Sequence, residues 1–523
     1  MLFFAAAFLY SVFHLFGVTG PSVAPAHTVH ESRSVSLSSV LLVDGVPLRH
    51  ASAGDATSIV ILDAPVEGDP VTPSLTACAA TPGHPLVAAS ATTAVDGPRA
   101  SIADPTACLA ALAAAPSRQV RRFAATFDVS TGADVSFATV LGENTSAPIV
   151  SAWWARLPLE RRTVLTGALP GVVGNLEGLP YSARDLANRV TLTTTIAQVQ
   201  SDLDSDERAG ARSSGRKANA GDDTRRLTML QQISEALRPG SEGDTSPRSL
   251  LSLDTVFPGR AAVAVGDVDT AQSVSYMIPG MLYTVSNQIG FWTDRAAALH
   301  AEQTFWANDL ATPTSPALTT ATVAWMGYRT PDLTNVLDLR LAQAGATHLE
   351  DAVEGLDAVR ASSPPRLNLI AHSYGSTTAT IALSSGTIHA DSLTVLGSPG
   401  SVVPKASDLA VTTGDVYAAA APLDPVAGSA FFGADPGASG FGATLLSVAG
   451  GTDPYTHEHL TGTISHNGYF VPGSQSMRNL ALIGIGHASV AGGRLPGPDA
   501  PVEVAGPNLS YVRPQDVNRG ALV

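Results

Sequence analysis

From about residue 250 the chain alternates short apolar runs with stretches whose apolar positions recur every three to four residues. The runs 274–278, 321–325, 367–371, 393–396, 416–420 and 444–448 read as strands, and 289–310, 339–360 and 376–384 read as helices. Strands that are apolar almost throughout and separated by helices imply right-handed crossovers and a mostly parallel sheet covered on both faces. The pattern therefore predicts an α/β domain over 250–490.

Upstream the pattern is weaker. Trp153, Trp154, Leu157, Leu165 and Leu169 sit at spacings that suit the buried face of consecutive short helices, punctuated by Pro158 and Pro170. Residues 184–200 read as a further helix, so 150–200 is expected to be a helical segment. The Ser- and Gly-rich stretch 201–223 reads as an exposed linker, and 227–237 as a short helix before a second linker near 240–247; together 201–249 form a linker or insertion. Alternation over 34–48 around Asp44-Gly45 predicts a short β-hairpin. Residues 51–122 carry no sustained periodicity, so the fold of 27–149 is left open apart from that hairpin, and 491–523 reads as a tail.

Composition narrows the function classes. In 523 residues, 45% are hydrophobic and 14% charged, which supplies a core and excludes disorder throughout. The net charge of −15 argues against a nucleic-acid partner, which needs a concentrated basic surface. The densest basic stretch, 208–226, is interrupted by Asp222 and Asp223. Residues 2–18 are apolar apart from Ser11 and His14 and lead to Ala24-Pro25-Ala26, the pattern of a secretory signal peptide over 1–26. A secreted or envelope-associated protein is the expectation; an uncleaved anchor giving membrane association, or a cytoplasmic protein with a misassigned start, are the alternatives. Cys78 and Cys108 are either one disulfide or two buried small apolar residues.

The chemistry gathers around Ala371-His372-Ser373-Tyr374-Gly375, where an apolar run meets a helical one. A serine at such a turn takes a strained backbone and needs small neighbours two residues away, here Ala371 and Gly375. The Tyr374 amide then lies at a helix N-terminus, where it can stabilise an oxyanion. A second donor is expected from Met281, because the strand 274–278 ends in Pro279-Gly280 and Gly280 lets the backbone turn toward substrate. Ser373 needs a base and an orienting carboxylate, which in this chain order follow it as acid, then histidine. Asp424, just past the strand 416–420, is the expected acid, with Asp408, Asp435 and Asp453 less well placed. His466, in a glycine-containing loop beyond the last strand, is the expected base. His487 reads as packing, and His372 should point away from the serine hydroxyl. Trp325, Met326 and Tyr328 are expected to form an apolar substrate pocket. His457-Glu458-His459 lacks the spacing of a zinc helix and reads as a solvated loop, so neither a metal nor a cofactor is expected.

As a set, Pro279-Gly280, Val323 to Tyr328, Ala371 to Ser376, Leu396 to Gly400, Ala434-Asp435-Pro436 and Ser465 to Phe470 with Arg478-Asn479 resemble the actinobacterial α/β-hydrolase family known as DUF1023. Trp153-Trp154, Val173 to Pro180, Arg184-Asp185 and Ala187-Asn188-Arg189 resemble the stretch that precedes the core in such proteins. The resemblance implies an α/β-hydrolase fold behind a helical pre-domain and implies a hydrolase, without naming a substrate. The expectation is a serine esterase acting on a small or lipid-like ester. The alternatives are an amidase or peptidase with the same residues, or a binding or scaffolding protein without turnover.

Overall fold

A computed structural model describes residues 42–43, 46–47, 75–81, 101–127, 132–208, 214–240 and 245–491. The signal-like segment lies outside the described residues. The chain divides into two units. In the smaller one, within residues 16–72, strands β1 (Leu42–Val43) and β2 (Val46–Pro47) pair antiparallel, with Leu42 opposite Pro47.

The larger unit opens with a helical layer. A 3₁₀ turn, Leu75–Cys78, is joined by the Cys78–Cys108 disulfide to helix Pro105–Ala114, and β3 (Ala80–Thr81) pairs antiparallel with β4 (Ser101–Ile102). Helices Ser117–Ala124, Ala133–Glu143, Ala147–Arg156, Leu159–Ala168 and Pro170–Asn175 follow. Trp153, Trp154, Leu157, Leu165 and Leu169 are all buried in the core of this layer. The stretch expected to be a linker from 201 is instead mostly helix: Tyr181–Arg208 runs on past 200, and Ser214–Ala236 begins the return. Polar helix surfaces sustain it, with Gln198 and Gln200 bonded one turn ahead to Asp202 and Asp204, while Met229, Leu230 and Ile233 bury the far end against the sheet.

The core is an eight-stranded sheet of order β12-β11-β10-β9-β7-β8-β6-β5, in which β5 is Arg248–Asp254, β6 Arg260–Val265, β7 Ser273–Ile278, β8 Thr320–Met326, β9 Arg366–His372, β10 Ser392–Leu396, β11 Val416–Ala419 and β12 Thr444–Leu445. From β12 to β8 every neighbouring pair is parallel; β6 is antiparallel to both β8 and β5. Each strand feeds both faces by alternation. Tyr276 and Ile278 meet helices Arg340–Val359 and Tyr374–Ser384, while Met277 meets Val285–Asp309 and Gln475–Gly484.

The free edge of β5 is covered by side chains from the helical layer. Asp185 accepts from Leu250 N at 2.6 Å, Asn175 from Leu253 N at 2.8 Å, and Asn188 donates to Leu250 O at 2.9 Å. The motif residues upstream of the core thus satisfy backbone groups that an edge strand leaves open. No helix among the described residues is long and apolar enough to cross a membrane.

Candidate active site

The central strand β9 delivers Ser373. The strand ends at His372, Ser373 takes φ 55° and ψ −130°, and helix Tyr374–Ser384 starts at the next residue. Such a conformation costs a non-glycine residue about 1–3 kcal/mol and persists only where its surroundings enforce it. Here Ser373 N donates to Leu396 O at 2.9 Å, and the Ser376 hydroxyl donates back to Ser373 O at 2.6 Å. The small neighbours are required. A Cβ on Gly375 would lie 2.4 Å from Pro279 O, and one on Gly280 would lie 2.5 Å from Ser373 Cβ.

Three separate segments meet at this corner. His466 Nε2 lies 2.9 Å from Ser373 Oγ, and His466 Nδ1 lies 2.8 Å from Asp424 Oδ1. A carboxylate only accepts, so Nδ1 carries the proton and the Nε2 lone pair faces the serine hydroxyl. Asp424 Oδ1 also accepts from Val426 N at 2.9 Å and Ala427 N at 3.1 Å, and Oδ2 accepts from the Tyr469 hydroxyl at 2.6 Å. Burial alone would raise the carboxyl pKa, but His466 and these donors outweigh it and hold it below the ordinary value. Asp424 therefore stays ionised while almost wholly buried. Gly397, at φ 57°, admits the contact, since a Cβ there would lie 2.5 Å from Asp424 Oδ2 and 2.9 Å from His466 Nδ1.

Gly280 packs directly on Ser373, and the amides of Met281 and Tyr374 have no hydrogen-bond acceptor among the described residues. Two unspent donors beside a serine hydroxyl have the arrangement that a developing oxyanion would need. Tyr328 donates to Pro279 O at 2.6 Å and so holds the turn that carries Met281.

The expected substrate pocket is not assembled as such. Trp325 and Met326 are consecutive on β8 and belong to the cores on opposite faces of the sheet, as strand alternation requires. Tyr328 is fully buried with its hydroxyl bound, and Trp325 borders a cavity of about 420 Å³ whose lining includes Glu143, Arg260 and His348 but none of Ser373, Asp424 and His466. Of the acids weighed against Asp424, Asp453 is paired with the Arg478 guanidinium and Asp408 lies in an exposed turn. His457 and His459 are exposed, and the described residues contain no group of three or more potential ligands arranged to hold a metal.

Two residues at the site were not assigned a role from sequence. Tyr469 binds the acid as described, and its hydroxyl accepts from Ala421 N at 2.8 Å. His372 does not contact the serine hydroxyl; its Nε2 lies 2.7 Å from the main-chain oxygen of His466. A buried histidine in the elbow motif was the available signal, but its partner lies 94 residues away.

This strand-turn-helix corner on a mostly parallel sheet is the α/β-hydrolase fold, and a family model described as alpha/beta hydrolase matches residues 254–434. An uncharacterized protein of Mycobacterium tuberculosis, Rv0963c, is 32% identical over 201 residues, covering 37% of this chain and 72% of that protein. A second, Rv2079, is 30% identical over 390 residues, covering 66% of this chain and 56% of that protein. The chain belongs to the same family as Rv0963c. It spans little more than half the length of Rv2079. Among solved structures, an esterase/lipase from an uncultured bacterium is similar at 10% identity and a TM-score of 0.30, over 50% of this chain and 91% of that one. An esterase from Pyrobaculum calidifontis is similar at 11% identity and a TM-score of 0.29, over 52% and 93%.

Proposed function

We propose that the protein is a serine hydrolase that cleaves carboxylic esters through an acyl-enzyme, within the DUF1023 family that its motifs resemble. The observation that carries this reading is the unbroken line of hydrogen bonds Asp424–His466–Ser373, 2.8 and 2.9 Å, at the end of a strained strand-to-helix turn. Ser373 Oγ attacks the ester carbonyl as its proton passes to His466 Nε2, and the Met281 and Tyr374 amides receive the negative oxygen. His466 returns the proton to the leaving alcohol as the C–O bond breaks. Water then attacks the acyl-enzyme by the same route, restoring Ser373 and releasing the acid.

An apolar or lipid-like acyl group is the favoured substrate class. Leu423 and Ile464 flank the acid and the base, are joined by Leu423 N donating to Ile464 O at 2.9 Å, and remain 61% and 63% exposed. A location outside the cytoplasm is supported by the Cys78–Cys108 bridge. The test is labelling by a fluorophosphonate. Covalent labelling of the wild type that is lost in Ser373→Ala supports the reading; folded wild-type protein that takes no label overturns it.

A further inference from the structure

His372 occupies the position just before the nucleophile, yet its side chain serves a different residue. Nε2 lies 2.7 Å from the His466 main-chain oxygen. A carbonyl can only accept, so Nε2 carries the proton and Nδ1 is left as a bare lone pair. That Nδ1 is buried with no hydrogen-bond partner among the described residues. An unsatisfied buried acceptor is costly, and a phenylalanine or leucine would fill the same space without it. Packing alone therefore does not account for a histidine here.

The surroundings show what the imidazole holds. Its ring lies 4.6 Å from the His466 ring, tilted by 40°, and is enclosed by Tyr283, Tyr469 and Phe470 with centroids 6.2, 5.9 and 6.0 Å away. His466 itself stands in the irregular segment between strand His459–Leu460 and helix Gln475–Gly484, so no helix or sheet ladder fixes its backbone. His372, by contrast, is the last residue of the central strand. The bonds from His372 Nε2 to His466 O and from His466 Nε2 to Ser373 Oγ close a short cycle through two consecutive residues of the elbow. A shift of the loop breaks both at once.

We propose that His372 is a positioning residue, which clamps the main chain of His466 to the end of β9 so that the base stays aligned with both Ser373 and Asp424. The inference rests on the triad reading above. The charged and titratable groups around His372 are His466, Asp424, Tyr283 and Tyr469. Burial first, and then the neighbouring His466, push the His372 pKa down to about 3, so the clamp remains neutral while the base beside it gains and loses its proton.

The test compares His372→Gln, whose amide N–H can reach the same carbonyl, with His372→Met, of similar length but without a donor. The readouts are the pH profile of the second-order rate of fluorophosphonate labelling, and kcat and KM on an aryl ester. A misplaced base should slow labelling by about 10- to 100-fold in the Met variant and move the acid limb of its profile, with KM changed less than kcat. The Gln variant should recover to within a few-fold of wild type. Equal rates and profiles in folded Gln and Met variants overturn the clamp. If the Met variant does not fold, His372→Phe takes its place and is read the same way. Ser373→Ala separates the two layers: loss of label there with equal Gln and Met rates refutes only the clamp, whereas persistent label in Ser373→Ala, or an unlabelled folded wild type, refutes the triad and the clamp together.

Discussion

The Tyr469 hydroxyl donates to Asp424 Oδ2 at 2.6 Å, through the carboxylate oxygen that His466 does not use. The same hydroxyl accepts from Ala421 N at 2.8 Å, so one phenol ties the exit of β11 to the carboxylate that holds His466 Nδ1. Burial and the adjacent Asp424 charge hold the phenol proton firmly, with its pKa well above the ordinary value. Tyr469→Phe removes one donor to a buried anion, an interaction of about 1.5–3 kcal/mol. Part of that loss should appear as misorientation of His466. We expect kcat to fall about 10-fold with little change in KM, measured by steady-state hydrolysis of an aryl ester; an unchanged kcat would show that the backbone donors from Val426 and Ala427 suffice.

Gly397 gives a sharper steric test. Its φ of 57° already disfavours a side chain, and the added carbon would fall 2.5 Å from Asp424 Oδ2. Gly397→Ala must displace the acid, the base or the end of β10. Stability should drop by about 1–3 kcal/mol in denaturant unfolding. The fluorophosphonate labelling rate should drop by about 10²-fold. Retained labelling at the wild-type rate would contradict the arrangement.

The central strands were legible because a strand buried on both faces has almost no polar position to blur it. By contrast β5 escaped, since Arg248, Ser249, Ser252 and Asp254 break the apolar run on an edge that the helical layer covers, and β6 escaped because three of its six residues are alanine, which carries little strand preference. The helix after the nucleophile begins at Tyr374 rather than 376, as the strained Ser373 leads directly into it. Ser373, Asp424 and His466 could be read from chain order and strand ends, which are local properties. The roles of Tyr469 and His372 could not, because each exists only through a contact with a distant segment.

Acid should destabilise the fold in a defined window. The His372 pKa in the folded state is about 3, against about 6.5 in an unfolded chain, so below ~6.5 the unfolded state binds the extra proton first. The stabilising contribution is therefore complete above pH ~6.5 and is lost as pH falls toward 3. Asp424, also depressed, loses its contribution lower, below pH ~4. The wild-type Tm should fall between pH 7 and 4.5, and His372→Gln, which cannot titrate, should flatten that slope. Parallel slopes for the two proteins would exclude His372 as the cause.

The Cys78–Cys108 bridge joins the first turn of the helical layer to helix Pro105–Ala114, within a core shared with Leu109, Leu112 and Trp153. Ser373, Asp424 and His466 stand instead after β9, β11 and the strand His459–Leu460. Cys78→Ser with Cys108→Ser should lower stability by about 2–4 kcal/mol. The fluorophosphonate labelling rate at 25 °C should remain that of the wild type. Loss of labelling in a folded double variant would show that the helical layer acts on the site.

The last prediction concerns acyl length. Leu423 and Ile464 offer apolar surface on the two loops that carry Asp424 and His466, and Ser373 is itself only 6% exposed, so an acyl chain laid along these loops would be removed from water against them. Each methylene removed from water contributes about 0.8 kcal/mol, which corresponds to at most ~4-fold per carbon. Partial burial reduces that figure. Across an aryl ester series from acetate to octanoate, kcat/KM should rise about 2- to 4-fold per carbon before levelling where the chain outgrows the apolar surface. A series that is flat from its first member would mean that the acyl group leaves these side chains untouched, and would move the substrate class away from lipid-like esters while leaving Ser373 as the nucleophile.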